Sequence, residues 1–208
     1  MKVVLYGASG MIGSRILQEL VSRGHTVTAV VRNPERVTRT DVKVVKGDVT
    51  DATSVAAAAQ GAEAAISAYN PPHSDVQMLL TATRALLQGL TEAGVKRLIA
   101  VGGAGSLEVA PGVQLVDTPQ FPEAWKGIAL AHREVLPVFK ASSVEWTYLS
   151  PAALIEPGNR TGRFRLGGTQ LVTDARGESR ISAEDFAVAL VDELENPRHI
   201  RQQFTLGY

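Results

Sequence analysis

The sequence of 208 residues contains no cysteine, which excludes disulfides, thiolate nucleophiles and cysteine-ligated metal sites. Neither sign of charge is in excess. Twenty-one lysines and arginines balance 21 aspartates and glutamates, and the arginines are scattered, so nothing points to nucleic acid or to an anionic membrane surface. No apolar run approaches the roughly 20 residues that a membrane span requires. The first strand-like run starts at the second residue and leaves no room for a signal peptide, so a cytoplasmic protein is expected.

What the chain does have is concentrated at its start. Lys2-Val3-Val4-Leu5-Tyr6 is an apolar, β-branched run that enters Gly7-Ala8-Ser9-Gly10-Met11-Ile12-Gly13. Beyond the glycines, Ile12, Ile16, Leu17, Leu20 and Val21 recur at helical spacing. The pattern reads strand, glycine turn, helix. Gly7 permits a sharp turn closed to residues with a Cβ. Gly10 admits the backbone to a pyrophosphate, and Gly13 lets helix and sheet pack closely. First-turn amides and the helix dipole then favour phosphate charge. Gly7, Ser9, Gly10, Met11, Ile12 and Gly13 are therefore candidate dinucleotide contacts. Glycine loops also serve as plain turns, but a strand before, a helix after and a second strand at Thr26–Val31 are the setting that favours phosphate.

The end of that second strand bears on cofactor choice. NAD sites usually place an Asp or Glu there for the ribose 2′-hydroxyl. This chain has Arg32, with Arg36 expected one helical turn on, and a guanidinium matches a 2′-phosphate in charge and shape. NADP(H) is expected in preference to NAD(H). The competing reading makes both arginines solvated loop charges.

The spacing of Gly7, Gly10 and Gly13, GxxGxxG, resembles the short-chain dehydrogenase/reductase superfamily, and the form GASGMIG resembles its atypical or extended branches. That resemblance implies an α/β fold of Rossmann type: three layers around a doubly wound, mainly parallel sheet, with a small C-terminal extension over the substrate side. One domain is expected over 1–208, with a core at 1–150 and a substrate-side segment at 151–208. A third strand, Val42–Lys46, leads to Gly47-Asp48-Val49, where the resemblance makes Asp48 and Val49 adenine contacts. The residues alone suggest that Thr50 or Asp51 caps the next helix, Asp51–Ala59.

A fourth strand of small residues, Ala62–Ala68, brings Ser67, Ala68 and Tyr69 to the carboxyl edge, where open α/β sheets bind ligands. Tyr69 is read either as lining a nicotinamide pocket or as a rim aromatic. Asp75 is expected to cap a helix reaching about Ala93, with Met78, Leu79, Leu86, Leu87 and Leu90 as its buried stripe. The fifth strand, Leu98–Val101, presents Val101 and Gly102 to the nicotinamide. Residues Leu107–Trp125 are expected to form a long loop carrying substrate specificity.

The following helix, Glu123–Ala141, departs from the superfamily. Aligned on Glu134, the positions of its Tyr-x-x-x-Lys pair hold Lys126 and Leu130. Glycines stand near the usual catalytic serine, with Ser106 several residues late, and His132 reads as a packing or surface histidine. No catalytic residue and no metal ligand is assigned. Trp146-Thr147 with Pro151 resembles the NmrA-like and flavin-reductase-like atypical branch, in which Pro151 borders the nicotinamide. A hairpin-like pair is expected around Gly167-Gly168. A capping box, Ser182 with Asp185, opens a helix through Phe186, Ala189, Leu190 and Leu194 to Pro197, and Gln203–Leu206 forms a last strand. Across the whole chain these motifs resemble the bacterial NAD(P)H-flavin-reductase type, related to biliverdin-IXβ/flavin reductases.

Ketone reduction needs a positioned acid. A flavin or quinone accepts hydride into a delocalised ring, so the missing pair points to NADPH-dependent hydride transfer to a small planar acceptor, flavin being a possible substrate, by proximity and orientation. The expected assembly is a monomer or homodimer, without nucleic acid or membrane. One alternative is an NADP(H)-sensing regulator of NmrA-like type. Another, ranked lower, is a nucleotide-sugar isomerase or dehydratase, which would need the missing Tyr and Lys and a larger second domain.

Overall fold

The computed structural model describes residues 1–208. Its first half alternates strand and helix: β1 (Lys2–Tyr6), α1 (Met11–Ser22), β2 (Thr26–Val31), β3 (Lys43–Lys46), α2 (Ala52–Ala59), β4 (Ala64–Ser67), α3 (Met78–Glu92) and β5 (Arg97–Val101). Two short strands follow, β6 (Glu108–Ala110) and β7 (Val113–Gln114), then α4 (Glu123–Ala141) and β8 (Glu145–Ser150). The remainder holds β9 (Leu154–Glu156), β10 (Arg165–Gly167), β11 (Arg180–Ser182), α5 (Ala183–Glu195) and β12 (Gln202–Gly207).

Eight strands form the main sheet in the order β10-β12-β8-β5-β4-β1-β2-β3. Every pairing is parallel except β10 with β12. The apolar runs are continuous because both faces of a parallel sheet are covered. Val3 and Leu5 face a core shared with Ile16, Leu20, Phe186 and Leu190. Their alternate neighbours Val4 and Tyr6 face a second core with Val55, Leu86, Leu90 and Phe139. The two-residue period of the strand thus feeds both layers. The chain winds from β1 through β2 to β3 on one side and from β4 through β5 to β8 on the other, so the direction reverses between β1 and β4. In such sheets that reversal opens a crevice at the carboxyl edge.

The structure corrects several local expectations. Leu107–Trp125 is not a bare loop: β6 and β7 pair antiparallel, and a 3-10 turn follows at Leu115–Asp117. Asp75 does not cap α3. Its amide closes a turn onto the Pro72 carbonyl at 3.0 Å, and the helix starts three residues later behind Gln77, with no side-chain cap. Met78 is consequently only half-buried at the helix start. The fourth strand is shorter than expected, Ala64–Ser67. No local hairpin forms at Gly167-Gly168, because β10 takes its partner from β12, far along the chain.

Only half of the capping box exists. The Asp185 amide donates to Ser182 Oγ at 3.0 Å, but the Asp185 carboxylate turns away. It accepts from the amides of Thr161 and Gly162, each at 2.8 Å, and from the Tyr208 hydroxyl. With Arg160 paired to buried Glu19 and the Gly158 amide bonded to Glu184, the segment 158–162 is tied down over α1 and α5. Residues 151–208 thereby supply both strands of the main sheet beyond β8, the helix packed on α1, and this strap.

Candidate functional site

The crevice is built from the glycine loop upward. Gly7 has φ +80°, and a Cβ there would lie 2.6 Å from the Ala68 carbonyl oxygen, so the ends of β1 and β4 touch. A Cβ on Gly13 would lie 2.0 Å from the Gly7 carbonyl oxygen, so α1 enters directly against the loop. Gly10 differs. A Cβ there meets one atom, Gly7 O at 3.4 Å, and otherwise points into open space.

Gly10 is also the N-cap of α1, which has no side-chain cap and no acid in its first turn. By contrast Asp51 caps α2, accepting from the amides of Thr53 and Ser54, and Ser182 caps α5 ahead of Glu184 and Asp185. The N-terminus of α1 therefore directs its free amides and its positive dipole end at the crevice with no side chain to neutralise them. Ser9 and Ile12 are half-buried beside it, and Gly10 and Met11 are exposed.

At one end of the crevice the strands bring together two residues distant in sequence. Val31 pairs with Lys46, and the Gly47 amide donates to Val31 O at 3.1 Å, so Arg32 and Asp48 leave adjacent strand ends. Asp48 Oδ1 accepts from the Thr50 hydroxyl at 2.7 Å and the Thr50 amide at 2.9 Å. Those two bonds, helped by the Arg32 charge and opposed by desolvation, hold its carboxyl below the usual range. Val49 is buried beside it. Arg32 and Arg36 are exposed and make no ion pair. Arg36 ends a 3-10 turn, Pro34–Arg36, rather than an α-helical turn, because the chain turns extended at Val37, whose amide closes back on the Pro34 carbonyl.

Between these groups stand Ser67, Ala68 and Tyr69. The Tyr69 hydroxyl is buried without a partner, and burial pushes its pKa up. The charges that act on it are Arg32, Asp48 and Asp75. Its ring also borders a narrow cleft reaching Val101, His132 and Tyr148.

The other end of the crevice explains the missing serine. A Cβ on Gly102 would lie 2.3 Å from Tyr148 Cε1, and one on Gly103 would lie 2.8 Å from His132 Cγ. Glycine lets the backbone lie flat on those rings, where any side chain would clash. His132 Nδ1 and Tyr148 Oη are 2.6 Å apart and buried. Desolvation lowers the His132 pKa to about 4 and raises that of Tyr148, so both are neutral near neutral pH. The packing reading of His132 holds. Ser106 is buried and accepts from Gln203 Nε2 at 2.9 Å, and Gln203 donates equally to Ser150 Oγ. Sequence reasoning missed this bridge, since a lone Gln in the last strand carries no motif. Pro151 follows Ser150, buried. Lys126 is exposed and pairs with Glu123, while Leu130 is half-buried, so these two positions form no acid–base pair.

One edge of the sheet thus carries an uncapped helix N-terminus at its centre, free guanidinium groups at one end and a side-chain-free backbone floor at the other. This donor set fits a dinucleotide: amides for a pyrophosphate, cations for a further phosphate, and a flat floor for a ring.

Comparison with known proteins returns the same frame. The chain is 50% identical to a provisionally named exported protein from Burkholderia pseudomallei, with a TM-score of 0.91 and 100% of both chains covered. It is 43% identical to a provisionally named epimerase from Bacteroides thetaiotaomicron, with a TM-score of 0.93, covering 100% of this chain and 96% of that one. A provisionally named NADH-flavin reductase from Streptococcus pneumoniae is 33% identical, with a TM-score of 0.90, covering 100% of this chain and 99% of that one. No helix is long and apolar enough to cross a membrane. A family model described as NAD(P)H-binding matches residues 7–197, from the first glycine of the loop to the proline beyond α5, and the chain belongs to that family.

Proposed function

We propose that the protein is an NADPH-dependent reductase acting on a flavin, a quinone or another flat conjugated acceptor. The observation that carries this reading is the floor at Gly102-Gly103. It rests on a buried, neutral His132–Tyr148 pair, where a carbonyl reductase would need an exposed proton donor. In this reading Gly7, Ser9, Gly10, Met11, Ile12 and Gly13 hold the pyrophosphate, and Arg32 and Arg36 take the 2′-phosphate. Asp48 and Val49 border the adenine. Ser67, Ala68, Tyr69, Val101, Gly102 and Pro151 form the floor and walls toward the nicotinamide. When bound, the reduced nicotinamide supplies a hydride. The chain contributes alignment and an apolar floor, and an acceptor ring that delocalises charge takes its proton from solvent. The name of the Streptococcus pneumoniae neighbour is in line with this chemistry.

The test is oxidation of NADPH by the purified protein with riboflavin, FMN or menadione. Turnover with any of them supports the reading, whereas tight NADPH binding without turnover over that panel favours a cofactor sensor. Cofactor choice is tested apart from turnover. Arg32→Ala should weaken NADPH binding by about tenfold or more, the scale of one lost charge-assisted pair, and leave NADH binding nearly unchanged. Equal losses for the two nucleotides would remove the argument for NADPH.

A further inference from the structure

One face of α4 continues past the sheet that it covers. Ala129, His132, Leu136 and Phe139 form its buried stripe, and the first two rest on the loop leaving β5. A Cβ on Gly105 would lie 2.7 Å from Ala129 Cβ, as one on Gly103 would against His132. Trp125 stands one turn further toward the N-terminus on the same stripe. Yet it is 54% exposed, because there the helix overhangs the carboxyl edge of the sheet.

A second ring meets it. His73, in the segment that leaves β4, lies edge-on to Trp125 with ring centroids 5.0 Å apart and an interplanar angle of 65°. Pro71 and Pro72 restrict the approach to His73, and Val76 lies 3.9 Å from where a Cβ of Gly127 would stand, holding the segment along α4. Two aromatic rings therefore stand at the carboxyl edge of the sheet, His73 in the segment that follows β4 and Trp125 in the first turns of α4. An indole left open on a core-facing stripe and met from the edge by a second ring presents a flat face on which a conjugated ring can stack.

We infer that Trp125 is the wall of the acceptor subsite, with a flat conjugated ring of the flavin or quinone class stacking on its indole while His73 fixes the indole from the edge. This assignment rests on the reductase reading above. Trp125 is a specificity-determining residue in it and takes no part in holding the nucleotide.

The chain has two tryptophans, and Trp146 is 2% exposed in the core, so the emission that the parent protein has and Trp125→Phe lacks reports on Trp125. With the protein saturated in NADP⁺, which permits binding without turnover, added riboflavin should quench that emission saturably. Trp125→Ala should weaken riboflavin binding, followed by flavin emission, and raise KM for menadione, each by about tenfold. Trp125→Phe should keep both within about threefold of the parent, since a ring remains. NADPH affinity should be unchanged in both variants. Unaltered riboflavin affinity in Trp125→Ala, or no saturable riboflavin binding by the parent protein, overturns the subsite. If the parent protein fails to bind NADPH, the underlying reading falls instead, so the two failures are distinguishable.

Discussion

His132 illustrates how one side chain can set an acid limit on the whole protein. Its imidazole is buried against Tyr148, and its pKa falls from an ordinary 6.5 to about 4 on desolvation. Between those values the unfolded chain binds a proton that the native chain does not, so stability is complete above about pH 6.5 and is lost as pH falls toward 4. The difference is on the order of 3 kcal/mol. Urea unfolding across that window should show the loss, and His132→Asn, though less stable at neutral pH, should show a shallower slope. An equal slope in the variant would mean that the imidazole is not held neutral by burial. Below that window Glu193 takes over. Burial pushes its carboxyl up, but hydrogen bonds from His199 and Arg198 outweigh that and hold it low, so its contribution is present above the carboxylate range and lost as pH falls through it. At this scale legibility in the sequence depends on range. The roles of Gly7 and Gly13 are local and could be read. The work of Asp185 could not, because Thr161 and Gly162 reach it from more than 20 positions away.

The first turn of α1 has neither a side-chain cap nor an acid, a lack that it shares with α3, but only α1 begins at the glycine loop. Asp51 and Ser182 cap α2 and α5, whereas α1 begins at an exposed glycine with no acid in its first turn. Gly10→Asp should therefore stabilise the free protein by about 0.5 kcal/mol through capping and dipole pairing. The same carboxylate would occupy the place assigned to the pyrophosphate, so NADPH binding should be lost. A thermal melt and an NADPH titration check the two halves, and retention of NADPH affinity would sink the loop assignment. Helix existence was legible in all five cases, from apolar spacing in α1, α3 and α5, from alanine content in α2 and from the superfamily resemblance in α4. The start of α3 was not, since Pro71 and Pro72 lead into a turn that uses up Asp75. The β6–β7 pair was hidden because two strands of three and two residues have no period to detect.

Over the whole molecule, the candidate site and a buried ion-pair cluster lie at opposite edges of the sheet. The crevice sits at the carboxyl edge, while Arg97 opens β5 at the amino edge. It donates to Glu145 O at 2.9 Å, Thr147 Oγ1 at 2.7 Å and Glu193 Oε1 at 2.9 Å. These bonds join β5, β8 and α5, and His199 and Arg198 complete the set around Glu193. Arg97→Ala leaves a buried carboxylate without its cation and should cost about 3–5 kcal/mol in urea unfolding. At a urea concentration where the variant is still folded its NADPH affinity should match the parent, and a large loss there would show that the two edges are coupled. The seven strands of four or more residues were legible in the apolar runs, whereas β6, β7, β9 and β11, of two or three residues each, were not. Strand order was not, because parallel neighbours are chosen by crossovers that leave no local trace, and β10 finds β12 only after the chain has returned.

The reversal between β1 and β4 has a dynamic consequence. The glycine loop and the Ser67–Tyr69 segment are rooted in β1 and β4, each flanked on both sides by further ladder, and backbone opening there requires breaking the sheet from within. A nucleotide bound as proposed would arrive and leave over that seat, with accommodation left to peripheral segments such as 70–76, and the timescale of exchange should be set by those segments rather than by breathing of the frame.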